Sequence, residues 1–288
     1  MLDVIRSGAQ TTESARVPRA YTVVTYALMV ERVLQVMRAR LDAPPTLDEM
    51  GEIAGLSAFH FHRVFRSVTG APPGEFLAAL RLDAAKRLLL TTSLSVTDVC
   101  YELGYASLGT FTTRFTQQVG LSPTRLRQIA RVLADEPLQP RIATHIDMRR
   151  RITTRFGGVG GVVIAPPAFT GLVFIGLFPK SIPQGQPVAC ATLPAPGHFQ
   201  LNAATDGSYY ALAAAAPYSQ DALTYLTPNA GVLVAVATRP LVIRGGQASE
   251  SLSLTLRPLD PTDPPILGVF PPLLSSPAAM RALTRDFN

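Results

Sequence analysis

Between residues 47 and 127 apolar positions recur with helical spacing, and the pattern is written twice. Phe61, Val64, Phe65 and Val68 fall at i, i+3, i+4 and i+7, the signature of one buried helix face. Fifty residues further on, Phe111, Phe115 and Val119 repeat it. Gly70 and Pro73 return as Gly120 and Pro123, while Gly55 returns at Gly104, one residue out of step. A repeat of this size predicts two copies of one supersecondary unit. Each copy reads as a short helix, a turn with glycine, a second helix and a Gly/Pro exit, which is the helix-turn-helix layout.

Polar residues at the predicted helix starts agree with this reading. Thr46 with Glu49 makes a capping box for the first helix, and Ser57 caps the second. Ser95 with Asp98, and then Ser107, do the same in the second copy. Upstream, Tyr26, Met29, Val30, Val33, Leu34, Val36, Met37 and Leu41 predict an amphipathic helix over 21–41 that packs on the first unit, with Pro44-Pro45 as its stop. Pro73 and Gly74 start a joining helix whose buried side carries Phe76, Leu77, Leu80, Ala84, Leu88 and Leu89. A last helix follows Ser122-Pro123, through Leu126 and Ile129.

Beyond Phe169 the period changes to two. Leu172 to Phe178, Val188 to Leu193, Phe199 to Ala203, Tyr209 to Ala215, Val232 to Ala237, Leu241 to Ile243 and Leu252 to Leu256 read as strands, separated by turn signals such as Asp206-Gly207, Pro228-Asn229 and Gly245-Gly246. Seven short strands at this spacing predict a sandwich. Residues 157–178 carry no charge, yet Pro166-Pro167 and six glycines interrupt them, so two strands with a turn are expected rather than a membrane span. The fold class is therefore multi-domain α and β. An all-α tandem helix-turn-helix domain over 21–134 precedes an all-β sandwich domain over 168–288, with residues 1–20 disordered and 135–167 a linker. At 288 residues, each half is long enough to bury a core of its own.

Charge adds a partner. The formal net charge is +6, and residues 1–165 hold 20 Lys+Arg against 14 Asp+Glu, while residues 166–288 hold 6 against 6. The basic excess lies with the repeat, as a polyanion-binding half requires. Opposite the apolar stripe of the first copy, Phe59, His62, Arg63 and Arg66 share a face. Those groups can bond base edges, meet a thymine methyl or hold phosphates. The matching face of the second copy carries only Gly109, Thr112, Thr113 and Thr116, with Arg114 at its flank.

The segments Ala54-Gly55-Leu56-Ser57 with His60, Arg63, Phe65 and Gly70, Glu102 to Phe111, Arg114-Phe115, and Val119-Gly120-Leu121-Ser122-Pro123 resemble the AraC/XylS transcriptional regulators. The likeness extends over the joining helix with Arg81, Ala84, Ala85, Leu88 and Leu89. It implies a sequence-specific DNA-binding regulator with two recognition helices in adjacent major grooves. Ser57, Phe59, His62, Arg63, Arg66, Ser107, Gly109, Thr110, Thr112, Thr113 and Arg114 are the implied DNA-binding residues. Arg81 is expected to be a structural anchor; Arg63, Arg66, Lys86, Arg87, Arg114, Arg125 and Arg127 could neutralise phosphates, and Arg63 could also bond guanine O6 and N7. That family usually carries this domain at the C-terminus, whereas here it lies near the N-terminus.

The β half, through Gly171 to Phe178, Pro196 to Leu201 and Asp206 to Ala214, resembles prealbumin-like or carboxypeptidase-regulatory-like domains, which implies assembly, scaffolding or binding. Double-stranded DNA is the expected partner; RNA polymerase and a second copy bound through the β half are candidates, and no membrane is expected. A second reading makes the chain a nonspecific or architectural DNA binder whose sandwich is its main interaction module.

Catalysis finds no foothold. His60 and His62 lie about 200° apart around their helix and cannot share a metal on one face. No nucleophile elbow, phosphate loop or HExxH pattern occurs. No catalytic residue, metal or cofactor is assigned. Cys100 and Cys190 stand one in each half, consistent with a reducing cytoplasm and, for Cys100, with a small buried hydrophobe.

Overall fold

The computed structural model describes residues 18–135, 158–202, 205–219, 223–226, 231–237 and 239–268. The expected disorder over most of residues 1–20, most of the expected linker (136–157) and the Pro228-Asn229 turn lie outside them. Seven helices come first: α1 Pro18–Ala39, α2 Leu47–Ala54, α3 Ala58–Thr69, α4 Pro73–Thr91, α5 Val96–Glu102, α6 Leu108–Val119 and α7 Pro123–Asp135. Both capping boxes form. The Thr46 amide donates to Glu49 Oε2 at 2.7 Å, and the Ser95 amide to Asp98 Oδ2 at 3.0 Å. Hydrogen bonds from the Thr46 backbone hold the Glu49 carboxyl below its ordinary pKa, and those from the Ser95 hydroxyl and backbone do the same for Asp98.

The out-of-step glycine has a structural cause. The first turn runs Gly55-Leu56-Ser57, and the second runs Gly104-Tyr105-Ala106-Ser107, one residue longer. Tyr105 is the counterpart of Leu56, each closing its turn with a bond five residues back, so Ala106 is the added residue. Tyr105 lies in the core, 5.1 Å from the Phe111 ring and beneath the Arg81 guanidinium at 5.7 Å. Gly104 sits at φ +70 against the Asp42 carbonyl, where a Cβ would collide. Arg81 also donates to the Leu41 carbonyl at 2.6 Å, so it ties the joining helix to the end of α1 and to the second turn.

The β half holds β1 Gly158–Ile164, β2 Gly171–Phe178, β3 Ala189–Leu193, β4 His198–Asn202, β5 Gly207–Pro217, a helical turn α8 Leu223–Leu226, β6 Leu233–Val236, β7 Leu241–Arg244, β8 Gln247–Ala248, β9 Leu252–Thr255 and β10 Arg257–Pro258. One sheet has the order β4-β1-β9, and the other β10-β6-β5-β2-β3, with β7 pairing β5 and β8 pairing β7. Pairing is antiparallel except between β1 and β9. β1 lies in the stretch expected to be linker; its Val159 and Val163 are buried against the second sheet, and that burial makes it part of the β core.

The β half buries an apolar layer of its own, but the core of the helical half is not confined to the helices and continues onto one face of the larger sheet. Every residue of β2 is buried. Val173, Ile175 and Leu177 face the layer shared with the small sheet, alongside Val159, Phe199, Leu201 and Leu254. Leu172, Phe174 and Phe178 belong instead to one continuous core with the helices. β5 divides the same way, with Ala211, Ala213 and Ala215 on one side and Leu212, Ala214 and Ala216 on the other. The larger sheet is thus the middle layer of three, which explains a run of strand residues without charge. The joining helix α4 is buried on more than the one side predicted: Ala79, Leu82, Ala85 and Lys86 are covered as fully as Phe76 and Leu89.

Candidate nucleic-acid interface

The two second helices, α3 and α6, are built alike. Each has 12 residues, a serine N-cap and a left-handed glycine C-cap, Gly70 and Gly120. Ser57 Oγ accepts from the His60 amide and Ser107 Oγ from the Thr110 amide, so both hydroxyls hold helix starts as well as standing at the predicted contact surface. Inside, Phe61 packs on Phe65 at 5.5 Å and Phe111 on Phe115 at 5.6 Å.

Outside, they differ. Phe59 is 75% exposed, the most exposed large apolar side chain among the described residues, and the Arg63 guanidinium lies over its ring at 5.8 Å. This contact orients Arg63, which stays exposed. Arg66 is exposed one turn further along, and His62 is half-buried beside them. His60 faces inward, edge-on to Tyr26 of α1 at 6.0 Å. Phe59, Arg63 and Arg66 therefore form one outward stripe, as their spacing predicted.

On α6, Gly109, Thr110, Thr113, Arg114 and Thr116 are exposed and Thr112 is half-buried. Two of the hydroxyls are already engaged. Ser107 Oγ donates to Thr110 Oγ1 at 2.9 Å, and Thr116 Oγ1 donates to the Thr112 carbonyl at 2.7 Å. Thr113 and Arg114 remain as the outward polar groups with the most freedom to meet a ligand.

Two of the expected phosphate contacts, Lys86 and Arg127, are corrected, and a third, Arg87, is paired at the surface. Lys86 is fully buried and its ammonium donates to the Ile266 carbonyl at 3.1 Å, so it faces the C-terminal end of the β half. Burial pushes its pKa down to about 8, with the Asp83 carboxylate opposing that shift and Arg87 adding to it. Arg87 is exposed but pairs with Asp83 at 3.0 Å on its own helix. Arg127 donates to the Leu89 carbonyl at 3.1 Å and ties α7 to the end of α4, with one guanidinium nitrogen enclosed. No signal local to position 86 foretold this, because its partner lies 180 residues away. Among the described residues no group of three or more His, Cys, Asp or Glu could hold a metal, and no helix is long and apolar enough to cross a membrane.

Two helix-turn-helix units on a common joining helix, with arginine exposed on both second helices, define a nucleic-acid-binding protein of the tandem helix-turn-helix class. Residues 50–129 match the helix-turn-helix domain family. The chain is 30% identical over 99 residues to the HTH-type transcriptional activator AarP of Providencia stuartii, covering 34% of this chain and 73% of that protein. It is 31% identical over 87 residues to the bifunctional transcriptional activator/DNA repair enzyme AdaA of Bacillus subtilis, covering 30% of this chain but only 41% of AdaA. A solved probable AraC family transcriptional regulator from Rhodopseudomonas palustris is 26% identical, with 36% of this chain and 97% of that one covered and a TM-score of 0.33. The chain belongs to the AraC/XylS family of transcriptional regulators.

Proposed function

We propose that the protein is a sequence-specific transcriptional regulator that sets α3 and α6 into adjacent major grooves of double-stranded DNA. The observation that carries this is the outward stripe of α3, where an exposed phenyl and a guanidinium stacked on it stand beside a second arginine. Phe59 is left largely in water by the folded chain, and a thymine methyl would cover it while a guanine edge would engage Arg63. On this reading Ser57, Phe59, His62, Arg63 and Arg66 serve one half-site, and Ser107, Gly109, Thr110, Thr112, Thr113 and Arg114 the other. The joining helix has 19 residues, roughly 28 Å at 1.5 Å per residue, comparable to the ~34 Å between successive major-groove faces.

The protein acts without catalysis and in the cytoplasm. The DNA repair activity named for AdaA is not carried over, since residues 166–288 hold only 6 Lys+Arg and 6 Asp+Glu to supply acid/base chemistry. The likeness of the β half to prealbumin-like or carboxypeptidase-regulatory-like domains is supported by two sheets sharing an apolar layer. Because both faces of the larger sheet are covered, a second copy or RNA polymerase would meet the β half at its strand edges or small sheet. Selection from random DNA with the full-length chain tests the reading. The expected product is a two-part motif with half-sites about 10 base pairs apart. Uniform weak retention of all sequences would favour an architectural binder instead.

A further inference from the structure

One loop of the β half touches the same point of both repeats. Residues 179–188, between β2 and β3, pass across the exits of α3 and α6. Ser181 Oγ donates to the Gly70 carbonyl at 2.7 Å, and Lys180 pairs with Glu75 at 3.6 Å just beyond that exit. At the other end of the loop the Gly185 amide donates to the Gln118 carbonyl, and the Gln186 side chain approaches Gly120. Gly70 and Gly120 are equivalent positions, the left-handed C-caps of the two outward helices. Gly185 itself requires glycine: its φ is +69, and a Cβ would lie 3.0 Å from the Gln117 carbonyl oxygen. Between the two ends, Ile182 and Pro183 are buried, and the Pro183 carbonyl accepts from the Leu267 amide at 3.1 Å.

That last bond joins the loop to a second element. After β10 the chain turns at Asp260, held by a two-point pair of Arg257 with Asp263, both contacts at 2.6 Å. It then crosses the helical half. Pro261 accepts from Arg38 of α1 at 2.6 Å, and Ile266 accepts from Lys86 of α4 at 3.1 Å. The loop and this crossing segment together hold α1, α3, α4 and α6.

From these contacts we infer that the β2–β3 loop is a clamp that fixes the separation and rotation of α3 and α6. The β half thereby determines the spacing between half-sites that the protein accepts. Lys180, Ser181 and Gly185 are its positioning residues. The inference rests on the proposed function, since a spacing matters only if both helices enter DNA. The joining helix, even with the Arg81 and Arg127 ties, leaves the exits of α3 and α6 free to shift relative to each other. A bridge between the two exits removes that freedom before DNA arrives, so less ordering is needed on binding and less tolerance remains for a displaced half-site.

The test uses full-length protein and a duplex series in which the selected half-sites are moved apart or together one base pair at a time. Each base pair changes helical phase by about 34° and separation by about 3.4 Å. Unaltered protein should bind one spacing and lose roughly tenfold or more at either neighbour, the scale of a forfeited base contact. The Lys180→Glu/Ser181→Ala/Gly185→Val variant should bind the best duplex more weakly and lose no more than about threefold at its neighbours. Gly185→Ala alone, a milder change for use if the triple variant does not fold, should give an intermediate profile. A merely structural role would lower all affinities together and leave the profile's shape unchanged. That result in a variant with unaltered circular dichroism overturns the clamp, as does indifference of the unaltered protein to spacing. Failure to select any motif would overturn the proposed function itself.

Discussion

Helices α3 and α6 are nearly the same object seen from the core and different objects seen from solvent. Their caps, lengths and phenylalanine pairs agree, with ring separations of 5.5 and 5.6 Å and tilts of 58° and 54°. Their outer faces offer Phe59, Arg63 and Arg66 in one case and Gly109, Thr113 and Arg114 in the other. The residues that hold a helix-turn-helix together and the residues that would read a ligand occupy separate stripes. A repeat can therefore keep the first set while the second diverges.

The largest effects should fall equally on both copies. Phe61→Ala and Phe111→Ala each empty a fully buried site, and each should cost about 3–5 kcal/mol in denaturant unfolding. A much smaller loss in one copy would mean the two cores are not equivalent. Next comes Lys86, which lies on the helix between the copies. Its folded pKa of about 8 is below the ordinary lysine value of 10.5. As pH rises through that window the unfolded chain holds a proton that the folded one has shed, so this group's contribution to stability rises with pH. Lys86→Met removes that term. The variant's advantage over the parent should shrink by on the order of 3 kcal/mol from pH 8 to 10.5. A constant difference across that range would place Lys86 in water.

Reading is where the copies should part. Arg63→Ala should relax base preference in one half-site by about 1–3 kcal/mol, while Thr113→Ala barely alters the other. If both changes erased equal sequence information in a selection experiment, the division of labour would be wrong. The smallest effect concerns phosphates. With Lys86 buried and Arg87 and Arg127 engaged elsewhere, the slope of log affinity against log salt should reflect fewer cations than the seven the sequence offers. Arg66→Ala should shallow that slope by about 0.9 with the preferred sequence unchanged. A changed motif at constant slope would make Arg66 a base reader.

Much of the helical half was legible because its signals are local. Capping pairs three residues apart, a 3.6-residue period and glycine exits are written next to the structure they specify. Even the longer second turn shows in the sequence as Gly104 falling out of step. Long-range burial was not legible. Lys86 reads as a surface cation until the Ile266 carbonyl, far along the chain, is brought to it. Residues 171–178 carry no charge because one face meets the helices and the other a second sheet, and alternation cannot be seen when both faces are covered. On the interface itself, sequence spacing identified which side chains share a stripe, but not that Ser107 and Thr116 spend hydroxyl protons within α6.

The middle layer bears on how such a protein could be taken apart by recombination. A cut through residues 136–157 looks natural by composition, yet Leu172, Phe174, Phe178, Leu212 and Leu226 stay on one side of it while the helices they pack against go to the other. A gene fragment ending there would encode a helical piece missing part of its wall, and its complement would be a sheet with a bare apolar face, prone to self-association. Grafting the helical half onto a different companion would need a replacement surface that covers the helices as β2 and β5 do. The heritable unit is thus larger than the motif match over residues 50–129, and the two halves are constrained to change in concert.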